Sequence, residues 1–110
     1  MGRISTHVLD IARGKPAEGI AVALNRGESL IASTTTNSDG RTDAPLLSGD
    51  ELAIGEYELT FQAGPYLRST HGEPLFLDVI SIRFNVADPT GNYHVPLLLA
   101  PHGYSTYRGS

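Results

Sequence analysis

The sequence predicts an all-β fold, a sandwich or a barrel, from three observations. Its twelve glycines and seven prolines are spread along the whole chain and break it about every eight to twelve residues, the rhythm of short strands joined by turns. Apolar and polar residues alternate with a period of two in several segments, as on half-buried strands. No long segment carries the apolar period of a helix.

The elements follow in order. Arg3 to Asp10 alternates, with Ile4, Thr6 and Val8 on one face and Ser5, His7 and Leu9 on the other. Gly14-Lys15-Pro16 breaks the chain, Ile20 to Asn25 reads as a second strand, and Arg26-Gly27-Glu28 as a tight turn. Leu30 to Thr36 is rich in β-branched residues and reads as a third strand, ended by the Asp39-Gly40 turn signal. Gly55 to Ala63 is a strand with Tyr57, Leu59 and Phe61 on one face, and Gly64-Pro65 ends it. Pro65 to Thr70 has room for one or two helical turns. Leu77 to Val86 places Ile80, Ile82, Phe84 and Val86 on one face, and Asp88 to Asn92 reads as a turn. Tyr93 to Leu99 and Gly103 to Tyr107 form the last two strands around Ala100-Pro101-His102. The sum is seven or eight strands and at most one short helix.

At 110 residues the chain reads as a single domain, 1–110, large enough to bury about two-thirds of its unfolded surface. There are no cysteines, which removes disulfides, thiolate metal sites and cysteine nucleophiles. Twelve acidic against eight basic residues leave a formal charge of −4, a poor footprint for nucleic acid. No apolar run is long enough for a transmembrane helix, so no membrane span is expected. The opening MGRISTHVLD has no apolar signal core. That leads to a cytoplasmic expectation, periplasmic only if a signal once preceded these residues.

Four histidines, His7, His71, His94 and His102, are the acid–base candidates, because imidazole titrates near neutral pH. The bland alternative for each is a solvated or hydrogen-bonded surface histidine. His71 beside Gly72 and His102 beside Pro101 fit that alternative. His7 and His94 lie inside alternating strands. Val95, Leu97 and Leu99 form the natural core face of the later strand, so His94 points off the core, and His7 does the same. A sheet face bearing histidine, serine, proline and leucine suits contact with a ligand or another subunit. Arg41, just after the Asp39-Gly40 turn, is either a solvated turn residue or an anion-binding fork. No HxH, HxxxH or HExxH spacing supports a metal site, and no Gly-rich phosphate loop or GxSxG elbow is present.

Three segments together resemble the transthyretin-related proteins. They are Ser5-Thr6-His7-Val8-Leu9-Asp10 followed by Gly14-x-Pro16-Ala17, Thr36-Asn37-x-Asp39-Gly40-Arg41, and Tyr93-His94-Val95-Pro96-Leu97-Leu98-Leu99 running through Pro101-x-Gly103-Tyr104-Ser105-Thr106-Tyr107-Arg108-Gly109-Ser110. The YRGS ending resembles the enzyme branch, the 5-hydroxyisourate hydrolases. Hormone-carrying transthyretins lack that ending and the two histidines and arginine. Two departures stand out. Family members usually have a histidine two residues before the one matching His94, where this chain has Asn92, which reads as a turn residue. Their usual phenylalanine pair is Leu75-Phe76 here.

The resemblance implies a transthyretin-like sandwich of two four-stranded sheets with one short helix, assembled as a homotetramer with sites at the dimer–dimer interface. It implies hydrolysis of 5-hydroxyisourate to 2-oxo-4-hydroxy-4-carboxy-5-ureidoimidazoline, with no cofactor and no metal. His7, His94 and Arg41 carry over as catalytic residues. Arg41, Tyr107 and Ser110 carry over as substrate-binding residues, Ser110 through its hydroxyl or a terminal carboxylate. Which histidine is the base stays open. The alternatives are a transthyretin-type binding protein for a small aromatic ligand and a sandwich without a site. Two titratable histidines beside an arginine argue against both.

Overall fold

The computed structural model describes residues 2–110. These form strands β1 (Arg3–Asp10), β2 (Lys15–Pro16), β3 (Ala21–Arg26), β4 (Ser29–Thr35), β5 (Leu47–Ser48), β6 (Gly55–Gln62), β7 (Val79–Val86), β8 (Asn92–Ala100) and β9 (Gly103–Thr106), one helix α1 (Ala63–His71), and a single 3-10 turn at Gly49–Glu51. One sheet has the order β4-β3-β6-β7 and is antiparallel throughout. The other has the order β2-β1-β8-β9, with β5 also paired to β1. Its central pair, β1 and β8, is parallel and joins the two ends of the chain.

The expected sandwich of two four-stranded paths is present, and the second sheet gains a fifth, two-residue strand. Lys15–Pro16, expected only as a break, pairs with Leu9 and Asp10. The outer edge of β1 is thereby covered in three short pieces: β2 at one end, β5 at the other and an isolated bridge from His7 to Arg41 between them. Short, interrupted edge pairing of this kind leaves little exposed ladder for another chain to join.

The core lies between the sheets and follows the alternation. Ile4, Val8, Leu97 and Leu99 face Val22, Leu24, Leu59 and Phe61 across it, and all are buried. Phe84 is half-buried and stacks on Tyr57 at 6.0 Å between ring centroids. Thr6 sits on the same inner face and stays satisfied because its hydroxyl donates to the Val95 carbonyl at 2.7 Å.

Helix α1 is longer than the expected one or two turns and starts directly after β6. Gly64 and Pro65, expected to end the strand by breaking the chain, sit in the first helical turn. Proline is at home there because those N–H groups have no intrahelical partner. Gly72, with φ 84°, closes the helix. At its end His71 meets Asp10, the last residue of β1. Asp10 is fully buried and accepts from His71 Nε2 at 2.9 Å, from the Tyr66 hydroxyl at 2.8 Å and from the Ala12 and Arg13 amides. Burial pushes the Asp10 carboxyl up, but the bonds from His71, Tyr66 and Arg13 outweigh it and hold it below its usual value. This pair ties the helix to the sheet, so His71 is a hydrogen-bonded histidine at a helix end rather than in a loop.

Candidate active site

The outer faces of β1 and β8 build the site. Alternation that sends Ile4, Thr6 and Val8 into the core sends Ser5, His7 and Leu9 outward, and alternation in β8 does the same for Asn92 and His94. The parallel register sets Ser5 opposite His94 and His7 opposite Pro96. His7 and His94 are therefore diagonal neighbours on adjacent strands. From ladder spacing and rise their backbones are about 8 Å apart, room for a small ring or a water between two imidazoles.

Arg41 reaches this face because its turn is held from both sides. The Val8 amide donates to the Gly40 carbonyl at 2.8 Å. Gly40 has φ 75°, and a side chain there would strike the Val8 carbonyl at 2.3 Å, so only glycine lets the turn lie against β1. Asn37 organises the rest. Its Oδ1 accepts from the Asp39 and Arg41 amides, and its Nδ2 donates to Asp43 at 2.9 Å.

The far wall is the last four residues. The Thr106 hydroxyl donates to the Pro96 carbonyl. Arg108 lies over the Tyr93 ring at 4.2 Å and donates to the Asn92 carbonyl. The Gly109 amide donates to the His94 carbonyl at 2.7 Å. These contacts pin a segment that would otherwise fray. Tyr107, Gly109 and Ser110 then line a concavity of about 430 Å3 together with His7, His94 and Arg41. All five residues predicted for the site, His7, Arg41, His94, Tyr107 and Ser110, are thus brought to one hollow, while Arg108 of the same ending points away as an anchor.

The hollow is cationic in an acidic chain. Arg3 and Arg41 line it, and no Asp or Glu side chain does. Burial lowers the His7 pKa below 6.5 and Arg41 lowers it further, with Asp39 opposing. Burial likewise lowers His94, followed by Arg41, His7 and Arg3. Both shifts favour the neutral imidazole, the form that can accept a proton. The Ser5 hydroxyl is 2.9 Å from His94 Nδ1.

Two lining residues, Arg3 and Asn92, escaped the sequence reading. Arg3 shares the period-two face of Ser5 and His7, and that periodicity was the available signal. Asn92 was hidden by its assignment to a turn, whereas it opens β8 two residues before His94 and lines the hollow. His102 is exposed and lies beside the Phe76 ring. Among the described residues no three His, Cys, Asp or Glu converge as metal ligands would.

Fold and site together define a class: a two-sheet β-sandwich carrying a cationic, two-histidine hollow on its outer sheet. The HIUase/Transthyretin family profile matches residues 4–109, and the chain belongs to that family. It is 53% identical over 116 residues to 5-hydroxyisourate hydrolase 2 of Rhizobium meliloti strain 1021, covering 99% of this chain and 97% of that one. It superposes on the structure of Klebsiella pneumoniae 5-hydroxyisourate hydrolase with a TM-score of 0.87 and 38% identity, covering both chains fully at 100%. It also superposes on a crystal structure of (S)-allantoin synthase with a TM-score of 0.89 and 42% identity, where it covers 99% of its own length but 44% of that longer chain.

Proposed function

We propose that this chain is a 5-hydroxyisourate hydrolase. The observation that carries the reading is the pair of histidines, His7 and His94, on one wall beside Arg41. The names of its full-length relatives support the substrate.

Water adds to the C6 carbonyl of the six-membered ring. One imidazole accepts a proton from that water as the C–O bond forms, a role worth about 10²–10⁴-fold. Arg41 faces the carbonyl oxygen and stabilises the negative charge that develops there. The C6–N1 bond then breaks, and a protonated imidazole returns a proton to the leaving nitrogen. The product, 2-oxo-4-hydroxy-4-carboxy-5-ureidoimidazoline, carries the new carboxylate, an anion suited to the arginine-lined hollow. Tyr107 and Ser110 orient the ring from the C-terminal wall. Every group needed for these steps is a side chain of the protein, so no cofactor enters.

The working site lies between subunits of a homotetramer. Two features support this. The hollow is an open floor on a sheet face, and a binding site needs a roof. Beside it Tyr107 is 57% exposed and Leu98 half-buried, apolar surface that a second copy would cover. Pro96 is already buried within the chain and does not contribute to that argument.

The test is the decay of 5-hydroxyisourate absorbance, with substrate made fresh from urate and uricase. Acceleration over the spontaneous decay is expected. Decay at the spontaneous rate with folded protein would sink the reading.

A further inference from the structure

We infer that Ser5 is a positioning residue for His94: its hydroxyl accepts the hydrogen bond of Nδ1–H and leaves the bare Nε2 as the nitrogen presented to substrate. The inference rests on the hydrolase reading for its catalytic meaning, but the ring geometry stands apart from it.

The ring is held on two sides. Ser5 and His94 sit directly opposite in the parallel ladder, and the hydroxyl meets Nδ1 at 2.9 Å. On the other edge, Gly109 comes so close that a Cβ there would lie 2.6 Å from Cδ2, the carbon next to Nε2. Gly109 lies along that edge of the ring, with its amide bonded to the His94 carbonyl, and Nδ1 is occupied by Ser5. Only Nε2 remains to serve the hollow.

Charge then decides where the single proton of the neutral ring resides. The charged and titratable groups that act on His94 are Arg41, His7 and Arg3; the lining contains no Asp or Glu, and Ser110, which carries the terminal carboxylate, lines the hollow without being among those groups. An N–H directed into that cationic space has no side-chain carboxylate to receive it, whereas a lone pair is favoured there. At Nδ1 the hydroxyl can accept an N–H. The proton therefore sits on Nδ1. When Nε2 takes a proton from water, and when it returns one to the leaving nitrogen, the Nδ1–H bond to Ser5 is unchanged. The ring does not reorient during the cycle. A carboxylate in place of Ser5 would orient the ring equally well but would stabilise the imidazolium and work against the low pKa of His94.

The experiment is 15N NMR of the histidine rings in the full chain at a pH above 7, alongside steady-state kinetics, for the native chain, Ser5→Ala and Ser5→Thr. The expected native result is a His94 ring protonated at Nδ1 and bare at Nε2. In Ser5→Ala the proton should move toward Nε2, and kcat should fall about five- to tenfold with KM changed less than about twofold, as loss of one orienting hydrogen bond implies. Ser5→Thr should retain both the tautomer and the rate. A native ring protonated at Nε2, or an unchanged ring in folded Ser5→Ala, would overturn the inference. If Ser5→Ala fails to fold, the native ring and Ser5→Thr still decide it. Absence of hydrolysis by the native chain would defeat the hydrolase reading, while the ring measurement would still settle the role of Ser5.

Discussion

Gly109→Ala tests how tightly the C-terminal wall sets the catalytic geometry. Gly109 packs on the edge of the His94 ring, and an added methyl would lie 2.6 Å from Cδ2 and 3.3 Å from Cγ. Ordinary contact begins at 3.4 Å, so the ring or the tail must give by about 0.8 Å, the difference between 3.4 and 2.6. A misplacement of about 1 Å at a catalytic group costs on the order of 10²-fold in rate. The expected kcat is therefore about two orders of magnitude below native. Stability should hardly change. The tail buries little, and the interaction at risk is the amide bond from Gly109 to the His94 carbonyl, worth about 1 kcal/mol. That corresponds to a few degrees in Tm for a domain of this size. The backbone of Gly109 is not in the left-handed region, so alanine adds no strain of its own. Turnover of 5-hydroxyisourate and thermal melting should be measured together, with a chain lacking Gly109 and Ser110 as companion. Native turnover in both variants would show that the tail does not set His94, and the site would shrink to His7, Arg41 and His94.

Arg41→Lys should lose most activity although the charge is kept, because an ammonium cannot reproduce the planar fork; native turnover in this variant would reduce Arg41 to a general positive field. Activity requires neutral histidines, and both are held below 6.5, chiefly by burial and then by Arg41. The acid limb of kcat/KM should therefore lie below pH 6.5 and move upward in Arg41→Gln, whereas an unmoved limb would remove Arg41 from their environment. Asp10→Ala should cost about 2–3 kcal/mol, since it removes the buried acceptor of the bonds from His71, Tyr66 and two backbone amides, a drop of roughly ten degrees in Tm. The same carboxylate has a folded pKa below the ordinary 3.8, so its contribution is present above that pH and is lost as the pH falls through the lower folded value. Urea denaturation at pH 7 and in acid checks both statements. Sedimentation at assay concentration should give about 47 kDa, four times 11.8 kDa, and an active species near the monomer mass would refute the shared site.

Much of this protein was legible from local pattern. Side-chain direction on a strand alternates strictly, so the placement of Ile4, Val8, Leu97 and Leu99 inside and of His7 and His94 outside followed from a period of two. Gly40 and Gly109 sat in recognisable motifs for steric reasons now visible: a side chain at either would collide with Val8 or with His94. What periodicity could not supply was pairing. Nothing local in Arg3 to Asp10 says that it lies parallel to a strand about ninety residues later, yet that register alone puts Ser5 beside His94 and brings Arg3 to Asn92. The bond from His71 to the buried Asp10 was equally hidden, because it joins a strand end to a helix end 61 positions apart. Alternation fixes which way a residue faces because that depends on its own backbone. The neighbour it faces, and hence the charge and burial that lower both histidine pKa values, depends on how distant segments pack, and only the tertiary structure decides that.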